Sequence, residues 1–366
     1  MTIQDIINVL ENYAPPALQE SYDNVGLLIG NKNWNCTGII CCLDSTEDVI
    51  KEAISKKCNL IVAHHPIIFS GLKKLNGSNY VEQTIIKAIK NDIAIYAIHT
   101  NLDNLIDGVN KSIADKLNLK NTSILLPKNN MLQKLYTFVP INYAEKVKEA
   151  LFAVGAGEIG NYSECSFNTK GIGTFNANQL SNPFVGNKGL RHEEVEIKVE
   201  IIYPIWLKSK IINTLKNVHP YEEPAFDIIS LQNQYNKIGS GLIGELAKPI
   251  SAKMFLQNLS KVFDLQIIRH SKLNKKNIKK VAICGGAGNF LTTFAMQASA
   301  DIFITSDIKY HEFFDTNSSM ILADIGHFES EQFTIELLQN YLHKKFPNFA
   351  VLKTKVKTNP VEYFIV

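Results

Sequence analysis

The chain has 366 residues, 45% hydrophobic and 20% charged, with a formal net charge of +3. That length exceeds one average domain and supports a sizeable core, while so small a charge excess does not by itself mark a nucleic-acid partner. No stretch approaches the ~18 uncharged apolar residues that read as a membrane span, and the opening MTIQDIINVLENYAPP has early acids and no long apolar core, unlike a signal peptide. A soluble, cytoplasmic protein with no membrane contact is expected.

The predicted elements fall into three segments. From Met1 to about Leu126, apolar runs alternate with helical patterns, the rhythm of βαβ units around a mostly parallel sheet. Gly38–Leu43 reads as a strand, and Ser45-Thr46-Glu47-Asp48 supplies a hydroxyl cap and first-turn acids for a helix to about Lys57. Leu60–Ala63 and Ile93–Ile98 read as further strands, the second preceded by a helical Val81–Lys90. From about Lys279 the rhythm returns, with strands at Lys280–Cys284, Asp301–Thr305 and Met320–Ala323. Helices are predicted from near Asn289 and from His327, the latter running to about Lys345.

The middle, roughly Met131 to Leu231, carries an internal duplication. Strand Leu135–Pro140, helix Ala144–Val154 and strand Cys165–Phe175 form one half. Strand Val195–Pro204, helix Leu207–Val218 and strand Ala225–Leu231 form the other. Two β-α-β halves build a ferredoxin-like sandwich of about a hundred residues. The expected organisation is therefore α/β: a first core lobe at 1–127, an inserted α+β domain at 128–236, and a second core lobe at 237–366. The polar joints Pro127-Lys128-Asn129-Asn130 and Gln232-Asn233-Gln234-Tyr235-Asn236 are where the insertion enters and leaves.

In parallel α/β sheets, ligands bind just beyond the carboxyl ends of the strands. Those ends here read Asp44; His64-His65-Pro66; His99 to Asp103; Gly285-Gly286-Ala287-Gly288; Ser306-Asp307; and Asp324 to His327. Adjacent strand residues normally face opposite ways, but a chain leaving the sheet at Pro66 lets both His64 and His65 turn to the rim. His327 and Glu331, spaced i, i+4 at a helix start, share one face. Asp103 completes a set of five ligands: His64, His65, Asp103, His327 and Glu331. Nitrogen and oxygen donors without sulfur favour Zn, Fe, Mn, Co or Ni. Five ligands are too few for two closed shells unless one bridges, so two divalent ions with open positions are expected.

Five motifs carry a family resemblance: Y-D-N-V-G-L at Tyr22–Leu27, A-H-H-P at Ala63–Pro66, H-T-N-L-D at His99–Asp103, S-D-I-K-Y-H-E at Ser306–Glu312 and G-H-F-E-S-E at Gly326–Glu331. In that order they resemble the NIF-three-like dinuclear-metal-centre proteins, also described as GTP cyclohydrolase I type 2 homologs. The middle segment, with Val218-His219-Pro220-Tyr221-Glu222-Glu223-Pro224, resembles the PII/CutA-like insert of longer members. The resemblance implies His65 and Asp103 on one ion, His64 and His327 on the other, and Glu331 bridging. It also implies a homohexameric toroid and a metal-dependent hydrolase that opens the ring of a purine nucleotide. His99, Asp307 and His311 are then candidates for proton transfer or for orienting ligands, with a structural hydrogen-bonding role equally open.

Other signals are weaker. Gly285–Gly288 lacks the Lys-Ser/Thr of a P-loop and reads as a tight turn. The basic run Lys272, Lys275, Lys276, Lys279 and Lys280 reads as a solvated linker, and no nucleic-acid partner is expected from it. His219, Glu222 and Glu223 could bind a metal or regulator, although a turn bracketed by Pro220 and Pro224 accounts for them more simply. The six cysteines form no C-x-x-C pair and read as reduced thiols. Beside the hydrolase stands an alternative function: a non-catalytic, metal-dependent ring whose insert senses a small effector or partner.

Overall fold

Strands Ile39–Cys42, Leu60–Ala63 and Ala94–Ala97 are buried at every position, as parallel strands covered on both faces must be. They form the middle of a five-stranded sheet in a computed structural model that describes residues 1–364. Val351–Lys353 adds a parallel strand at one edge and Gly26–Ile29 an antiparallel one at the other. The helices that cover this sheet start where the sequence supplies caps. Thr46 accepts from Val49 N ahead of Glu47–Ser55, and Asn79 accepts from Glu82 N ahead of Tyr80–Lys90. Helix Ile3–Tyr13 opens with a reciprocal capping box between Thr2 and Asp5.

The second sheet has the order Arg269–His270, Ile321–Asp324, Ile302–Ser306, Asn277–Ala287, Gly239–Ser251, Lys120–Pro127. Only its two ladders around Ile302–Ser306 are parallel, and the other three are antiparallel. A mostly parallel core therefore describes the first sheet and not the second. The reason is topological: Lys120–Pro127 leads out of this unit and Gly239–Ser251 leads back. Antiparallel pairing sets Pro127 beside Gly239, so the two ends of the excursion lie together.

The two sheets share one apolar cluster, in which Ile39, Val62 and Tyr96 of the first join Val281, Ile304 and Ile321 of the second. Met1–Pro127 and the chain from Asn236 onward accordingly form one compact unit, and Lys128–Tyr235 forms another. Among the described residues no helix is long and apolar enough to cross a membrane.

The second unit has a four-stranded antiparallel sheet in the order Ser166–Asn176, Arg191–Pro204, Leu132–Pro140, Phe226–Leu231. Helices Ala144–Ala153 and Lys208–Val218 pack on one face, where Leu135, Val139, Val199 and Ile201 meet Val147, Leu151, Ile211 and Leu215. Strand residues of the opposite parity, among them Phe138, Glu196 and Lys198, face away from the helices.

Candidate metal centre

Each imidazole at the rim is held on its Nδ1 side by a fixed acceptor. His64 Nδ1 lies 2.9 Å from the carbonyl oxygen of Ile98, which only accepts, so Nδ1 carries the proton and Nε2 keeps its lone pair. His65 Nδ1 lies 2.8 Å from Asp44 Oδ1, His327 Nδ1 2.6 Å from Asp307 Oδ2, and His99 Nδ1 2.8 Å from Asp23 Oδ1. A hydrogen bond at Nδ1 fixes the ring and leaves Nε2 as donor atom, the usual setting of a metal-binding histidine.

Glu331 is the centre of the set. It is 3% exposed, and its Oε2 lies 2.9 Å from His65 Nε2 and 3.2 Å from His327 Nε2. Its Oε1 faces the other way, 3.8 Å from His64 Nε2, which in turn is 3.5 Å from Asp103 Oδ1. His64 Nε2 and Asp103 Oδ1 are sealed from solvent and have no hydrogen-bond partner among the described residues. Two such atoms would cost ~1–3 kcal/mol each if nothing filled the gap between them. Ligand atoms ~2.0–2.2 Å from one ion come to rest roughly 3–3.5 Å apart, so the residues fit a divalent cation. Three groups of candidate ligands have their ligand atoms within 4.8 Å of one another: His64–Asp103–Glu331 and His65–His327–Glu331, which both use Glu331, and His64–His65–His99, which does not. The family resemblance paired His65 with Asp103 and His64 with His327; the distances group them the other way.

The electrostatics match this crowding of acids and imidazoles. Burial of Glu331 opposes its ionisation, but hydrogen bonds from His327 and His65 hold it well below the ordinary carboxylate range. Burial pushes Asp103 up to about 7, with the Glu331 charge adding to the shift and His99 opposing it. Burial disfavours the charged form of His65 and His327, yet the Asp44–Glu331 and Asp307–Glu331 pairs raise them to about 9 and about 11. Without an ion, positive charge is thus supplied by protons, which a metal displaces on binding.

The glycines at the end of Asn277–Ala287 form one wall. Gly286 has φ +65°, and a Cβ there would lie 2.4 Å from Glu331 Oε1. Its N–H donates to Ser330 Oγ, and that of Gly285 to Asn110 Oδ1, both at 2.9 Å. What reads in sequence as a tight turn is a close approach of backbone to carboxylate. Gly326, at φ +89°, turns the chain into the short helix His327–Glu331, which ends before Thr334–Lys345 begins, where one continuous helix was expected.

His99 stands within reach of the cluster, its ring 5.2 Å from that of His64 and 5.3 Å from that of His65. Asp307 touches it only through His327. His311 does not belong to it: it sits in the single turn Tyr310–Phe314, its ring 5.1 Å from Tyr310, and does not line the cavity. The motif Ser306–Glu312 brought it in, and a turn after Asp307 directs it elsewhere.

Sequence reasoning gave no role to Asp23, Asp44 or Thr358. Asp23 binds His99 and the amide and hydroxyl of Thr100, which hold it down to about 2 against its burial. Thr358 Oγ1 donates to Asp44 Oδ2 at 2.8 Å. Asp44 stood among the strand-end residues, a signal that could have found it, whereas nothing in the composition near Thr358 points to the site. Cys284 reaches the cavity wall, but its thiol donates to Gly285 O and burial raises it, so it stays protonated. The cavity lined by His65, His99, Asp103, His327 and Glu331 measures about 700 Å³.

The chain matches the family described as Duf34/NIF3 (NGG1p interacting factor 3) over residues 1–360. It is 38% identical over 365 residues to a Halalkalibacterium halodurans protein called GTP cyclohydrolase 1 type 2 homolog, covering 98% of both chains. Among solved structures it resembles a Bacillus cereus protein related to NIF3, with 34% identity, a TM-score of 0.87 and 100% and 99% of the two chains covered. The Staphylococcus aureus protein SA1388 follows with 31% identity, a TM-score of 0.78 and the same coverage.

Proposed function

The chain belongs to the Duf34/NIF3 family, and on that premise we propose that it holds two divalent ions side by side and uses them for hydrolysis. One observation carries this reading. The two oxygens of Glu331 address different partners, Oε2 toward His65 and His327 and Oε1 toward His64 and the unpartnered Asp103 Oδ1. A buried carboxylate that divides its oxygens in this way bridges two cation sites. The ligands are His64, Asp103 and Glu331 for one ion, and His65, His327 and Glu331 for the other.

When bound, a pair of divalent ions lowers the pKa of a shared water and stabilises developing negative charge. The protein's own groups do the rest. Asp44 and Asp307 keep His65 and His327 oriented, and His99, held by Asp23, stands beside the cluster as a group able to move a proton. The name borne by the Halalkalibacterium halodurans relative supports a guanine nucleotide as substrate, with water attacking the imidazole-ring carbon and opening the ring.

The strand order of the Lys128–Tyr235 unit, with both helices on one face, supports reading residues 128–236 as an inserted ferredoxin-like domain between core segments 1–127 and 237–366. A cytoplasmic homohexamer is part of the same proposal and rests on the family resemblance. The test is elemental analysis of protein purified without chelator, with ring opening of GTP assayed on the same sample. Two ions per chain and turnover that vanishes in Glu331→Ala support the reading; a loaded protein that leaves GTP unchanged refutes the cyclohydrolase, and one ion per chain refutes the dinuclear site.

A further inference from the structure

In the Lys128–Tyr235 unit, the sheet face opposite the helices carries a cavity of about 600 Å³ that shares no lining residue with the metal-centre cavity. Its floor is bare backbone. Gly171 and Gly173 occupy successive positions on this face, directly across from Glu196 and Glu194. At Gly171 a Cβ would meet nothing within 4 Å, so the space above it is open. At Gly173 a Cβ would lie 2.2 Å from Glu196 Oε2, so that oxygen rests over the uncovered α-carbon.

One wall is aromatic. The rings of Phe175 and Phe184 each lie 6.3 Å from that of Tyr221, and Phe184 is braced at 5.4 Å by Tyr143. The roof is the loop after Asn176. It is held by Asn178, whose Oδ1 accepts from the amides of Leu180 and Ser181, by Gly189 N donating to Ala177 O at 2.7 Å, and by Asn182 N donating to Glu222 Oε1 at 2.8 Å.

The deepest polar group is Glu196, 7% exposed, which lines this cavity. Its Oε1 accepts from Tyr221 Oη at 2.7 Å. Among the described residues no hydrogen bond or ion pair accompanies Oε2. Lysine does not neutralise it: Lys198 is committed to Glu200 at 3.0 Å and lies over the ring of Tyr136, and Lys170 alternates to the other face of the sheet. The rim adds Glu222 and Glu223. A buried carboxylate with one free oxygen, set beside aromatic faces, has the chemistry that recognises an ammonium or guanidinium on an apolar body.

We propose that this cavity is a binding site for a small organic cation, its charged head on Glu196 Oε2 and its apolar body against Phe175, Phe184 and Tyr221. The ligand class is an alkyl- or arylamine, or a guanidine, small enough for the space over Gly171.

The probe is phenethylamine, titrated calorimetrically into the full-length protein, with 2-phenylethanol and phenylacetate as neutral and anionic counterparts of the same shape. Phenethylamine binds, and the other two bind at least about tenfold more weakly, the value of one charge-assisted contact. Glu196→Gln keeps an acceptor for Tyr221 and weakens the amine by a similar factor. Gly171→Leu fills the open space from a backbone position with ordinary φ and abolishes binding, with circular dichroism and metal content unchanged in both variants. Absence of phenethylamine binding, equal binding of the three probes, or binding that survives both substitutions overturns the proposal.

Discussion

Asp44 Oδ1 lies 2.8 Å from His65 Nδ1, while its other oxygen accepts from Thr358 Oγ1 at 2.8 Å. A residue near the end of the described chain thus steadies the group that aims a candidate ligand. Asp44→Asn preserves shape but puts an amide where a charged acceptor stood. Metal affinity at the His65 side falls about 10–100-fold, read by competition with a chromogenic chelator. Thr358→Val gives a smaller loss in the same direction. Unchanged affinity in Asp44→Asn would show that His65 is oriented by something else.

The grouping of ligands can be tested by counting ions. His64→Ala and Asp103→Ala each lose mainly one ion, and the double variant loses no more than either single one, as the proposed assignment of both residues to one site requires. His65→Ala and His327→Ala behave as a second such pair. Glu331→Ala, which removes the shared carboxylate, loses most of both. If the His64→Ala, His65→Ala and Glu331→Ala proteins all retain equal metal, the assignment fails.

How far the sequence carried these conclusions depends on what each residue had for a signal. The clustering of His64, His65, Asp103, His327 and Glu331 was legible because strand ends can be located from apolar runs, and the fold brings such ends to one rim. The middle unit was legible for the same reason: its strands and helices recur in one repeated order, within a few residues of Leu132–Pro140, Ala144–Ala153, Arg191–Pro204 and Lys208–Val218. Gly26–Ile29 and Val351–Lys353 were not, being short edge strands whose pairing is set by distant partners. The pairing of ligands was also out of reach, since which oxygen of Glu331 faces which ring is a matter of fractions of a turn. His311 shows the opposite failure, a plausible residue beside Asp307 that the chain turns away.

Gly286 bears on both stability and metal. Its φ of +65° costs an L-residue about 1–2 kcal/mol, and a Cβ there would press on Glu331 Oε1 at 2.4 Å. Gly286→Ala therefore lowers stability by about that much and reduces metal content as well. Gly71→Ala is the control: Gly71 has no positive φ, and its Cβ would meet nothing within 4 Å. Denaturant titration and elemental analysis of the two variants separate backbone strain from displacement of the carboxylate. A Gly286→Ala protein that binds metal as well as Gly71→Ala would show that Glu331 yields to the methyl without cost.

His219 gives the second unit a pH dependence whose sign is fixed by its partners. The carbonyl of Phe138 accepts from Nε2 at 3.0 Å, and Nδ1 accepts from the amide of Tyr221 at 3.1 Å, so the ring uses both nitrogens as a neutral imidazole. Burial lowers its pKa from the ordinary 6.5, with the Phe138 hydrogen bond opposing the shift. The unfolded chain then binds a proton more readily than the folded one. The stabilising contribution is complete above pH 6.5 and declines as pH falls below that value toward the folded pKa. The chain has two tryptophans, and in a Trp34→Phe background the fluorescence of Trp206 reports on this unit alone. Its melting temperature falls between pH 7 and pH 5 by more than in the same protein carrying His219→Gln. Identical pH profiles for the two would mean that protonation of His219 costs the fold nothing, and that the Tyr221 amide has another acceptor.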